Sequence, residues 1–360
     1  MTPRRALPIR DLDAGYYLDL FLVAAVSAVL GIRFTLRMTG YPQVAMGQLH
    51  VAHMLWGGLF MLAAIVILLS YIGRGGDEAA ALLGGVGFGT FIDEVGKFVT
   101  KDNDYFYQPS VAIIYVTFIV TWLAIRSIHR EHTASAVEYL ANAMQLLRKS
   151  AGGALTGEER QKVLEYLGKS DPVHPVVRPL TDLVQGLPAA PDRLPGILVR
   201  FRQSLATAYR QLACRPMFEV AITGFFIAQL VVKVVSAALF IGIDRLSPEV
   251  VARIPLLQPE LLDDRTRAEW GQLGSSLLSG LFVALGVARI RSDRLGAFRM
   301  FQRSILVSIF LTQVFMFYQR EWDALVALAF NLMVFLALRF MIERERAARE
   351  AYASGTRGTP

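Results

Sequence analysis

The chain has 360 residues, 54% of them hydrophobic and 19% charged, with a net charge of +7. Its mean hydropathy of +0.42 and its long apolar blocks exclude an ordinary soluble domain, since about 20 such residues suffice to cross a bilayer. The arginine surplus is therefore read as a topology signal, with no nucleic acid expected as partner. Cys214 is the single cysteine, which excludes an intrachain disulfide and a cysteine-based metal knuckle.

In chain order, the opening MTPRRALPIRDLDAGYY lacks a short apolar core followed by a small-residue cleavage site and reads as a retained cytoplasmic tail. Apolar segments follow at about 16–36, 50–72, 79–100, 109–128, 217–242, 271–290, 301–319 and 322–341. These predict an all-α, polytopic membrane protein of about eight transmembrane helices, arranged 4 + 4 around a small helical domain. The expected division is an N-tail over 1–15, a first membrane block over 16–128, a cytoplasmic helical domain over 129–215, a second block over 216–342 and a C-tail over 343–360. Arg4, Arg5 and Arg10, then Arg74, then Arg289, Arg291, Arg294 and Arg299, then Arg339, Arg344, Arg346 and Arg349 all fall on one side of such a topology. Positive residues in short loops stay inside, so both termini are expected to be cytoplasmic. Within 129–215, Val137, Leu140, Ala141, Met144 and Leu147 share a helical face, and Thr156 with Glu159 forms a capping box opening a second helix. A protein partner docking on 129–215 and a homo-oligomer are the expected assemblies, besides the lipid bilayer itself.

The polar constellation follows from the topology. His50 and His53 open the second span, Asp93, Glu94 and Lys97 close the third, and Lys233, Gln313 and Asn331 lie in the outer halves of the fifth, seventh and eighth. At 1.5 Å per residue these fall within a band of roughly 15 Å. Ionisable groups inside a membrane are costly and mark functional sites by default. Gly85, Gly89, Asp93 and Lys97 are spaced by four, so the acids sit beside a small-residue surface that admits another helix. Asp93 is expected to pair with Lys97 across one turn and Glu94 with Lys233 from another helix. The same charges also fit a purely structural ion-pair network.

His50, His53 and Glu94 form a candidate two-His, one-carboxylate set for a divalent metal, although HxxH alone is a weak signal and HExxH is absent. The run Lys101–Asp104 resembles the start of a calcium loop but lacks Gly at the sixth position and Glu at the twelfth. Arg33 and Arg37 read as snorkelling anchors at the end of the first span. No GxSxG, Walker or dinucleotide-binding motif occurs in a suitable context.

The runs GVGFGTFIDEVGKFVTKDNDYFYQP, at 85–109, and SIFLTQVFMFYQ, at 308–319, resemble a family of bacterial multi-pass membrane proteins of no assigned activity. The resemblance implies a bacterial inner-membrane location and carries over no catalytic residue. FIDEVGKF is also similar in outline to the D-K-x-x-H-F segment of VanZ-like proteins, with Glu94 and Lys97 standing where that pattern has Lys and His. Three functions fit these features: a transporter or permease for an ion, a proton-coupled solute or a lipid; a membrane scaffold or sensor working through 129–215; and a metal- or acid/base-dependent intramembrane enzyme on lipid-type substrates.

Overall fold

A computed structural model of the chain describes residues 9–39, 45–46, 49–50, 53–99, 107, 109–128, 134–150, 155–187, 204, 207, 216–243 and 267–355. The described chain is helical apart from one antiparallel pair of two-residue strands, β1 (Ala45–Met46) and β2 (Leu49–His50). It forms two compact units, one of residues 1–107 and 117–195, the other of 108–116 and 196–360.

The first unit is organised by three helices, α1 (Ala14–Thr39), α2 (His53–Ser70) and α3 (Arg74–Asp93). α3 is the middle member, packed against both others. Glycine makes that possible. A methyl group at Gly85 or Gly89 would run into the α1 carbonyls of Phe21 and Ala25, and one at Gly57 of α2 would lie 2.7 Å from the carbonyl of Gly87. Backbones that close gain dispersion contacts that larger side chains would forbid. The contacts also set direction: Phe21 and Ala25 face Gly85 and Gly89, while Gly57 and Ala64 face Gly87 and Gly84. α3 therefore runs parallel to α1 and antiparallel to α2, as three successive passes would. After α3 come the short α4 (Val95–Val99) and α5 (Pro109–Ile128), whose residues up to Val116 belong to the second unit.

Three amphipathic helices complete this unit: α6 (Ala136–Ser150), α7 (Gly157–Lys169) and α8 (Val177–Gly186). Leu140, Ala143, Val163, Tyr166, Leu167, Val177 and Val184 form their shared core, with Leu12 packed against it. Thr156 and Glu159 form the capping box that the spacing predicts. The segment before α1 is gripped from several sides. Asn142 accepts from the Leu12 amide at 2.8 Å and donates to the Arg10 carbonyl at 2.8 Å. Arg10 pairs with Glu138 at 3.0 Å, Gln145 donates to Asp11 at 2.6 Å, and Lys162 bonds Asp13. The Arg10 guanidinium and the Ser135 amide hold the Glu138 carboxyl far below its usual range, at about 2. Arg74, opening α3, reaches Glu159 at 3.7 Å. The three helices thus sit at the end where α1 and α3 begin.

The second unit contains α9 (Pro216–Ile243), α10 (Arg267–Arg289), α11 (Arg294–Val307), α12 (Gln313–Arg320) and α13 (Ala324–Gly355). Its core holds Phe226, Val283, Phe298, Phe301, Ile305 and Leu338, with the Phe226 and Phe301 rings stacked 4.4 Å apart. A π-helical turn, Ser308–Thr312, joins α11 to α12, so that the Gln313 amide reaches back to the Ser308 carbonyl. Such turns free a neighbouring carbonyl; here Ile309 accepts from the Tyr115 hydroxyl at 2.7 Å. α12 and α13 meet in the turn Glu321–Asp323, where Glu321 takes φ 46°, ψ −125°.

Among the described residues, five helical stretches are long and apolar enough to cross a membrane: Ala14–Thr39, His53–Ser70, Pro109–Ser127, Ala268–Arg289 and Arg294–Ala347, the last interrupted by that turn. Residues 301–319 and 322–341, expected as two spans, are its two arms. α3 is of comparable length, but carries Arg74, Asp77 and Glu78 in its first turns and Asp93 at its end. Residues 244–266, between the fifth and sixth expected spans, lie outside the described residues.

Candidate functional site

At the other end of the three-helix core, where α1 and α3 finish and α2 begins, four ionisable side chains meet. Asp93 is the last residue of α3, and Glu94 interrupts the helix with φ −91° and ψ 10° before α4 resumes. In an unbroken helix adjacent side chains point about 100° apart. The interruption lets these two consecutive carboxylates turn to one neighbour, His53 at the start of α2. Its Nε2 lies 3.3 Å from Asp93 Oδ2 and its Nδ1 lies 3.0 Å from Glu94 Oε1. Arg33, from the last turns of α1, donates through Nε to Asp93 Oδ1 at 2.6 Å and through Nη2 to the Asp93 carbonyl at 3.0 Å. The guanidinium therefore satisfies both the carboxylate and an orphan carbonyl at the end of α3. The Met54 amide, in the first turn of α2, points at Glu94 Oε2 at 3.4 Å, placing an anion where a helix dipole favours one.

Burial gives this geometry its force. The Asp93 and Glu94 side chains are wholly shielded, whereas 32% of the His53 side chain is exposed. A neutral imidazole has one N–H and one acceptor nitrogen. Two ionised carboxylates on its two nitrogens would leave acceptor against acceptor on one side, an arrangement too costly to bury. The set therefore needs one more proton, carried either by the imidazole or by a carboxyl. Counted over these four side chains, an imidazolium and the Arg33 guanidinium balance the two acids.

The sequence-predicted residues divide between the two units. His53, Asp93 and Glu94 come together. Asp93 takes Arg33 and His53; the side chains of Lys97, its expected partner, and of His50 lie outside the described residues, and the His50 backbone pairs with Ala45 across the small ladder. Glu94 faces His53 and the Met54 amide, while Lys233, expected opposite it, donates to Ser279 at 2.6 Å within the second unit. Gln313, fully buried, donates to the Ala324 carbonyl at 2.6 Å, and Asn331 donates to Gln313 at 3.5 Å. This pair stitches α12 to α13 across the Glu321 turn. Arg33 is the residue that sequence reasoning read otherwise, as an anchor; its placement at the same predicted level as Asp93 was the available signal.

Among the described residues no group of three or more His, Cys, Asp and Glu is arranged to hold a metal ion. The reason is visible in the site: Asp93 and Glu94 approach opposite nitrogens of one ring, so their donor atoms surround the imidazole and do not converge on a common point. Comparison of the chain with protein-family models, with curated proteins and with solved structures finds no match. The functional reading rests on the side chains alone.

Proposed function

We propose that the protein is an integral membrane transporter or permease whose working site is the Arg33–Asp93–His53–Glu94 cluster, exchanging a proton, alone or coupled to a cation or small solute. The observation that carries this reading is the single half-exposed imidazole between two fully buried carboxylates. Such a set stores one exchangeable proton, and its loss creates a buried negative charge that a cation can answer. The glycine-faced contacts of α3 with α1 and α2 provide the rigid frame around it, and the partial exposure of His53 provides the route for exchange.

The membrane arrangement consistent with this is N-inside and C-inside with about eight spans in the bacterial inner membrane. The charged cluster then opens outward, and α6–α8 lie on the cytoplasmic side with the arginine-rich connections. The gripping of residues 10–13 by α6 and α7 supports placing those helices beside the N-terminal tail.

Purified full-length protein in proteoliposomes carrying an entrapped pH indicator tests the proposal. Under an imposed pH gradient the wild-type protein dissipates the gradient faster than empty vesicles. Glu94→Gln and His53→Gln remain monodisperse and lose that activity. A wild-type protein that moves no proton under any cation gradient, or variants that move as many as the wild type, would rule the proposal out.

A further inference from the structure

The second unit holds a polar cluster of a different kind. Lys233, well inside α9, donates from Nζ to Ser279 Oγ at 2.6 Å. Ser279, midway along α10 and fully buried, also lies 2.8 Å from Ser304 Oγ, 3.0 Å from Ser308 Oγ and 3.2 Å from the Ser304 carbonyl. Ser304 and Ser308 stand one helical turn apart at the junction of α11 with the π-helical turn. The lysine stem passes Gly280, whose missing side chain leaves Cδ in ordinary contact distance, 3.7 Å from where a methyl would be.

The donor and acceptor count is one-sided. An ammonium has three N–H donors and no acceptor, and Ser279 takes one of them. No carboxylate among the described residues lies within ion-pair distance of Lys233. Two ammonium donors are left over, and the Ser304 and Ser308 hydroxyls beside Ser279 can each donate as well as accept. A cation inside an apolar bundle either finds a countercharge or gives up its proton. The ammonium itself offers donors only, which suits a ligand that only accepts.

We infer that Lys233, with Ser279, Ser304 and Ser308, forms a binding site for a small monovalent anion, a halide or a carboxylate, within the membrane-spanning part of the second unit. The lysine supplies the charge and the serines the hydrogen bonds, while Ser279 holds the ammonium in place. The site is separate from the proton-storing cluster and independent of the function assigned to it.

The test uses the full chain in nanodiscs of neutral phosphatidylcholine, with chloride as probe, followed by chlorine NMR line broadening and competed by acetate. The expected result is saturable broadening that acetate displaces. Affinity is weakened at least roughly tenfold, or about 1.4 kcal/mol, in Lys233→Met, and it is retained in Lys233→Arg. No saturable binding to the wild type means that Lys233 sits there as a neutral amine, which overturns the inference. Binding unchanged in Lys233→Met assigns the chloride to surface cations and overturns it equally. Should Lys233→Met not fold, Ser279→Ala decides: weakened binding supports the site, and unchanged binding removes it.

Discussion

The two units solve the problem of polar groups among apolar helices in opposite ways. In the first, two buried carboxylates are met by Arg33 and His53, and the set reaches neutrality once it holds one proton. In the second, Lys233 bonds the Ser279 hydroxyl, and no carboxylate among the described residues pairs with it. The difference teaches that charges in membrane helices are of two kinds: those whose partner the chain itself supplies, and those whose partner must come from outside. Removing a cation should therefore have opposite effects on stability in the two places, and that contrast can be broken experimentally.

The largest effect is expected in the first unit. Arg33→Met takes the guanidinium away from the buried Asp93 carboxylate, and losing one member of a buried pair costs about 3–5 kcal/mol. Thermal unfolding in nanodiscs should show a large drop in midpoint, and adding Asp93→Asn should restore much of it, because the orphaned charge goes as well. Failure of the second change to rescue would mean that Arg33 acts through packing. In the second unit Lys233→Met should do the reverse, being neutral or stabilising when no anion is present, because an apolar residue of similar volume replaces a cation with no carboxylate partner among the described residues. A strongly destabilised Lys233→Met would erase the contrast.

Smaller effects sharpen the comparison by marking what lies outside both clusters. Glu321, at φ 46° and ψ −125° in the turn between α12 and α13, occupies a conformation that L side chains rarely adopt. Glu321→Gly should raise the melting midpoint by an amount matching about 1 kcal/mol of relieved strain. The smallest concerns the grip of α6 on the tail. The Glu138 carboxyl lies lower in the folded protein, at about 2, than in an unfolded chain. Its contribution is therefore present above the ordinary carboxylate range and is lost as pH falls towards 2. The protection factor of the Leu12 amide, its exchange rate relative to that of an unstructured chain at the same pH, should fall on acidification in the wild type. In Glu138→Gln it should already be lower near neutrality and respond less to acid.

Much of the fold was legible because its causes are local. The apolar blocks around α1, α2, α5 and α10 announce helices long enough to span a bilayer, and Thr156 with Glu159 announces the start of α7, since a capping box depends only on residues three apart. The spacing of Gly85 and Gly89 likewise pointed to a close helix neighbour. The site was legible only in its acids and in His53: a buried Asp93 or Glu94 signals that some partner exists without saying which. Lys233 was a reasonable candidate by depth, but depth carries no information about azimuth.

What the sequence determined by itself was therefore the helical, membrane-type character of the chain and the few positions where charge is buried, because hydrophobic length and helical periodicity are properties of single segments. The tertiary structure alone decided that α3 lies between α1 and α2, that the break at Glu94 turns two consecutive acids onto one imidazole, that Arg33 answers Asp93, and that Lys233 bonds Ser279 at the edge of a serine cluster. Partnership between helices depends on which faces pack together, and that is settled by the summed fit of many side chains across distant parts of the chain.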